Sequence, residues 1–300
     1  MRDTAIRETA AAYVALTKPR IIELLLVTTV PTMIVAARGW PSTELLVATV
    51  FGGTLAAGGA NAINMVVDRD IDAVMGRTAK RPLVTGVLQP QQALAFALSL
   101  EVLAFLELWS AVNFLSAALA VSATLFYVFV YTLWLKRTST QNIVIGGAAG
   151  AVPVLVGWAA VRGSLGLAPI VLFAVIFVWT PPHFWALAIR YREDYATAHV
   201  PMLPAVTTLE NTARQIVLYT AILWATTLLF GAVGGMGPIY WAAAVILGAV
   251  FLQRAAGLLR DHSPARAMRV FSYSIVYVTL LFGAIAVDQL VRHIGWLAGA

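Results

Sequence analysis

No cysteine occurs in the 300 residues. That absence excludes disulfides, thiolate metal sites and a cysteine nucleophile. Charge is scarce as well: Asp, Glu, Lys and Arg together make up 11% of the chain. Soluble domains carry about 25%. Histidine is limited to His183, His199, His262 and His293. What is abundant is apolar surface. Hydrophobic residues reach 60%, and the mean hydropathy is +0.84. Long uncharged runs recur along the chain. The composition is that of an all-α, polytopic membrane protein. A pI near 9.8 invites a nucleic-acid reading, but the basic residues are spread between apolar runs, so no nucleic-acid partner is expected.

Nine spans are predicted, at 21–37, 45–67, 91–110, 113–135, 141–161, 167–189, 213–233, 238–257 and 270–291. Pro31 is a kink site in the first. All but three of the 20 Lys and Arg fall on one side of these spans; Arg38, Arg162 and Arg292 are the exceptions. The positive-inside rule then puts the N-terminus in the cytoplasm and the C-terminus outside. Residues 1–17 form a short cytoplasmic segment, too short and too mixed in charge for a leader. The expected localisation is a bacterial inner membrane, with residues 1–300 as one domain. Loops 68–90 and 190–212 lie on the same cytoplasmic face. The halves echo each other weakly, the pattern of two four-helix pseudo-repeats plus a final helix around a central cavity.

The end of span 2 carries Asn64, Asp68, Asp70 and Asp72. Residues four apart share one face of a helix, drifting about 40° per step. Asn64, Asp68 and Asp72 therefore form a slanted row, and Asp70 points elsewhere. Two carboxylates and an amide oxygen are hard ligands suited to Mg²⁺, which is typically shared with substrate phosphates. Arg77, Lys80 and Arg81 follow directly. Metal plus cations beside an apolar bundle suits a lipid diphosphate. The plain alternatives are a solvated helix end for the aspartates and topology alone for the cations.

Span 6 ends in Trp179-Thr-Pro-Pro-His-Phe-Trp-Ala-Leu-Ala188. Pro181 and Pro182 are expected to break or kink the helix, with His183 at membrane depth. An ordinary packing histidine is the plain alternative. Arg190, Arg192, Asp194 and His199 come next. Asp194 is the expected partner of the first acidic row from the opposite loop. Glu101 and Glu107 lie within span 3 and have no assigned role.

Asn64-x-x-x-Asp68-x-x-x-Asp72 followed by Arg77-Thr-x-Lys-Arg-Pro-Leu resembles the first signature of the UbiA superfamily of intramembrane prenyltransferases. The run from Thr180 to Ala188 and Asp194-Tyr-x-x-Ala-x-Val-Pro-Met-Leu-Pro204 are similar to one branch, the haem O synthases (protohaem IX farnesyltransferases). Leu16-Thr-Lys-Pro-Arg20 and the nine-span plan agree. One departure stands out: many phenol-prenylating relatives have an aspartate four residues after the position of Asp194, and here it is Ala198.

The resemblance implies an Mg²⁺-dependent enzyme with farnesyl diphosphate as donor and haem b as acceptor. Farnesyl transfer to a haem vinyl group, then water addition, would give haem O and diphosphate. Asn64, Asp68, Asp72 and Asp194 would be the metal and catalytic set. Arg77, Lys80, Arg81 and Arg192 would hold diphosphate. His183 and His199 are the expected haem ligands, with Arg190 or Arg192 on the propionates. Tyr127, Tyr131, Trp179, Phe184 and Tyr191 are candidates to face an allylic cation. A downstream haem-modifying enzyme or terminal oxidase assembly is a pathway expectation only. Three other readings compete: a UbiA-type enzyme acting on a phenolic or quinone precursor, a membrane transporter, and a haem-binding assembly protein without catalysis, which would not need the Asn64, Asp68 and Asp72 row. The transporter is disfavoured because the acidic row lies at a cytoplasmic helix end rather than at the bilayer midplane.

Overall fold

The computed structural model describes residues 2–299, with side chains from Arg7 to Ile294. Met1 and the side chains of Arg2 and Asp3, counted above in the N-terminal segment, lie outside the described part. Among the described residues nine helices are long and apolar enough to cross a bilayer. The chain is an integral membrane protein with no strands in this part.

A leading helix α1 (Arg2–Thr17) precedes the first span, α2 (Pro19–Ala37). The second span is α3 (Thr43–Val67), followed by the short α4 (Arg69–Val74). The third span is α5 (Pro90–Glu107) with a π-helical last turn to Val112. The fourth is α6 (Phe114–Leu125), a π-helical stretch Phe126–Leu135, and α7 (Lys136–Thr138). Then come α8 (Asn142–Arg162) and α9 (Leu167–Arg190). Two short helices, α10 (Arg192–Thr197) and α11 (Leu203–Val206), fill the second loop. The last spans are α12 (Leu209–Val233), α13 (Pro238–Ala256) and α14 (Pro264–Gly299).

The helix starts follow from local chemistry. Pro19, Pro90, Pro238 and Pro264 open their helices, where the missing N–H costs nothing. The Ser42, Asn113 and Thr208 side chains accept from the backbone N–H three residues on. These caps and prolines let several spans begin earlier than hydropathy alone predicts, most clearly at Leu209 and Pro264. The double proline does not break α9, which runs from Leu167 to Arg190. Pro31 likewise lies inside a continuous α2.

The spans pack as a ring. α2 is the hub that touches both α8 and α14, while α3 packs on α5, α9 on α12, and α13 on α14. Close approach depends on small residues, as is usual between membrane helices. A Cβ on Gly157 of α8 would stand 2.7 Å from the Thr29 backbone oxygen of α2. The largest core cluster joins α8, α9, α12, α13 and α14. Large apolar side chains such as Phe51, Trp109, Phe114, Phe129 and Ile246 remain exposed. In a bilayer these meet lipid, so their exposure carries no cost. The ring encloses a cavity of about 560 Å³.

Candidate active site

Asn64, Asp68 and Asp72 are all buried, and Asp68 is completely so. The helix pauses at Asp68, but the backbone stays nearly helical. Asp68 N–H donates to Asn64 O at 2.9 Å, and Asp72 N–H to Asp68 O at 2.8 Å. The four-residue spacing therefore survives the break between α3 and α4. Asn64 and Asp72 line the cavity. Asp68 stands behind them and accepts from Asn64 Nδ2 at 2.7 Å.

Cations surround this row. Lys18 Nζ donates to Asn64 Oδ1 at 2.8 Å. Lys136 pairs with Asp68 Oδ2. Arg81 donates to Asp72 Oδ2 at 2.5 Å. Lys18 has left-handed backbone (φ 51°) at the junction of α1 and α2, an uncommon state for a side-chain-bearing residue. Burial lowers its ammonium to about 7, and the Arg81 and Lys136 charges push the same way. Arg77 Nη2 donates to the Tyr195 hydroxyl at 2.9 Å and lies over the rings of Tyr191 and Tyr195. This contact ties loop 68–90 to the second loop.

Asp70 is outside the row, as its position on the helix predicts. It takes two hydrogen bonds from Arg137, at 2.7 and 2.8 Å. Those bonds hold its carboxyl down at about 2.

The interior is of another character. The π-helical stretch places Tyr127 and Tyr131 on the cavity, their rings stacked at 5.4 Å and 16°. Its i−5 bonding also lets Thr132 Oγ1 donate to Tyr127 O at 2.8 Å while accepting from Asn64 Nδ2 at 3.1 Å. Trp179, His183 and Phe184 also line the cavity.

Not every expected residue reaches this cavity. Lys80, Arg190 and Arg192 are exposed and do not line it. His199 sits on the exposed second loop with φ 53°, away from His183. Asp194 lies beside Gly76, where a Cβ would be 3.7 Å from its Oδ1. The two loops therefore meet, but Asp194 is at the rim. Tyr191 stacks with cations there rather than facing the interior. Conversely, Lys18 and Lys136 belong to the cluster and were not among the expected site residues. Lys18 stood in the Leu16–Arg20 motif; Lys136 looked like an ordinary inside charge.

Asp68 Oδ1 is buried with no hydrogen-bond partner, and Arg137 Nη2 lies 3.8 Å from it. That orphaned hard oxygen, with Asn64 and Asp72 beside it, fits Mg²⁺. No group of three His, Asp or Glu side chains converges among the described residues. A closed all-protein cage is therefore not formed, and Mg²⁺ characteristically does not need one.

The pattern of the UbiA prenyltransferase family matches residues 25–283. The chain belongs to the UbiA prenyltransferase family. It is an enzyme of prenyl transfer. A protein of Kineococcus radiotolerans named protoheme IX farnesyltransferase is 53% identical, covering 96% of this chain and 90% of its own length. Proteins of the same name from Clavibacter sepedonicus (52%; 93% and 92%) and Frankia casuarinae (53%; 94% and 99%) are similar over comparable lengths. Solved UbiA-family structures share the fold. A UbiA homologue from Aeropyrum pernix superposes with a TM-score of 0.71 at 20% identity, covering 90% of this chain and 99% of that one. A homologue from Archaeoglobus fulgidus bound to GPP and Mg²⁺ gives 0.63 at 14% identity, covering 92% and 99%.

Proposed function

We propose that this UbiA-family enzyme transfers the farnesyl group of farnesyl diphosphate to a vinyl group of haem b. Water then adds, giving haem O and diphosphate. The observation that carries the reading is the division of one cavity into two chemistries. Its mouth holds Lys18, Arg77, Arg81 and Lys136 around Asn64 and Asp72; its interior is apolar and aromatic, with His183 on the wall. The naming of the 50–53% identical relatives agrees.

The mouth residues bind and orient the diphosphate. Their charges offset the negative charge that grows on the leaving oxygen as the allylic C–O bond lengthens. Mg²⁺, held by Asn64, Asp68 and Asp72 with Asp194 as the expected fourth member, would supply further charge neutralisation when bound. The apolar walls exclude water while the allylic cation exists. The faces of Tyr127 and Tyr131 offer cation–π attraction, about 0.5–2 kcal/mol each. The cation adds to the vinyl carbon, and water traps the haem-side cation with loss of one proton. His183 is the proposed iron contact; Arg190 and Arg192 at the rim are proposed for the propionates. Lys80 joins the diphosphate set from outside the cavity. The mouth, and with it the N-terminus, faces the cytoplasm in this reading, and the chain acts as one membrane domain.

Purified protein in detergent, given haem b, farnesyl diphosphate and Mg²⁺, should form a haem heavier by farnesyl plus water. Mass spectrometry detects it. Asp68→Ala should abolish it. A phenolic acceptor prenylated in place of haem would overturn the acceptor assignment and leave the prenyl-transfer site standing.

A further inference from the structure

His183 is in α9, one turn after Trp179. Its imidazole packs against three aromatic rings. The Trp179 ring lies 4.3 Å away at 21°, and the Phe271 ring of α14 lies 4.6 Å away at 30° on a second contact. Phe184 meets it edge-on at 5.0 Å. With rings packed this way, the polar edge of the imidazole decides its chemistry.

One edge nitrogen is accounted for. His183 Nδ1 is 2.6 Å from Ser274 Oγ. The same oxygen is 2.6 Å from the Phe271 backbone carbonyl. A hydroxyl owns one proton, and a carbonyl oxygen has none to give. Two oxygens at that distance repel unless a proton lies between them. The Ser274 proton therefore goes to Phe271 O, and Ser274 Oγ must accept from Nδ1. The neutral ring has a single N–H, so Nε2 is left as a bare lone pair. A second proton would bury a charge, since no carboxylate pairs with this ring among the described residues. Nε2 makes no hydrogen bond within the protein, and His183 lines the cavity.

We propose that Ser274 is a positioning residue: it locks His183 into the Nδ1–H tautomer and so presents Nε2 to the iron of the haem substrate. The inference rests on the reading of haem as acceptor. The opposite tautomer would aim an N–H at the iron, and an N–H cannot ligate. Metal-bound histidines regularly donate their other ring N–H to a fixed acceptor. Here that acceptor is held twice. Its hydroxyl is committed to Phe271 O, and its own backbone oxygen accepts from Trp179 Nε1 at 2.8 Å. The second bond ties α9 to α14 at the level of the histidine. Ser274 itself is fully buried.

The test uses the full chain in detergent, titrated with ferric haem b alone. Soret absorption, electron paramagnetic resonance and resonance Raman report the iron ligand. Wild type should show a histidine-ligated haem. His183→Ala should lose that signature and regain it on addition of free imidazole. Ser274→Ala should weaken haem binding about ten- to a hundred-fold and shift the Fe–N(His) vibration of the haem that still binds. Ser274→Thr, which keeps the hydroxyl, should restore both. A serine that served only packing would change the unfolding temperature and leave the vibration unmoved. An unchanged vibration and affinity in Ser274→Ala, or an unchanged ligand signature in His183→Ala, overturns the proposal. Wild-type protein that consumes farnesyl diphosphate with a phenolic acceptor but binds no haem overturns instead the reading on which it rests.

Discussion

Lys136, at the C-terminal end of the fourth span, closes on the fully buried carboxylate of Asp68, 68 residues away in sequence. The pair locks the fourth span to the loop after the second. Removing one partner of a buried pair leaves an uncompensated charge, which costs about 3–5 kcal/mol. Lys136→Met should therefore lower the unfolding temperature in detergent. The double variant Lys136→Met with Asp68→Asn should recover most of the loss. Equal unfolding temperatures in all three proteins would show that the pair is not a stabilising contact.

Arg81 and Asp72 form the corresponding contact on the cavity wall itself. Arg81→Ala should raise the farnesyl diphosphate KM and lower kcat together, by at least about ten-fold, since a charge-assisted contact to an anion of this kind is worth about 1.5–3 kcal/mol. Lys in place of Arg should restore only part of it, because it cannot make the forked contact. Steady-state kinetics at saturating haem b decide this; kinetics unchanged in Arg81→Ala would remove Arg81 from the diphosphate site.

Asp70 and Arg137 give a pH-dependent term at the membrane surface. The carboxyl is held at about 2 in the folded protein, below an ordinary aspartate near 3.9. A depressed carboxyl stabilises above the unfolded value, and that contribution is lost as pH falls toward the folded value. Wild type should thus be slightly more stable than Asp70→Asn above about pH 5. The gap should close between about pH 4 and pH 2. It should be small, because the Asp70 side chain is 65% exposed. Paired melts across this range measure it; a gap that widens on acidification would contradict the assignment.

Gly157 and Gly283 should respond oppositely to alanine. At Gly157 the added carbon would meet backbone, 2.7 Å from Thr29 O, so α2 and α8 must separate. Overpacking of this kind costs about 1–3 kcal/mol. Nothing lies within 4 Å of the corresponding position at Gly283 in α14, where alanine should be neutral or mildly stabilising. Melting in detergent separates the two; matching behaviour would sink the close-approach argument.

The sequence by itself determined the spans and the family. Nine apolar runs are readable because a bilayer demands a fixed length of apolar helix whose backbone bonds close internally. The Asn64, Asp68 and Asp72 row was readable because one helical period fixes its face, and Asp70 fell outside it for the same reason. Only the tertiary structure decided which charges meet. Lys18, at the junction of α1 and α2, joins the row at Asn64, and Lys136 of the fourth span joins it at Asp68; no local pattern encodes a contact between distant helices. His183 and His199 were both expected as haem ligands; packing put only His183 on the cavity. The partnership of His183 with Ser274, 91 residues on, follows only from how α14 seats against α9. Hydropathy records what each segment buries, whereas contacts between segments depend on how the ring of helices closes.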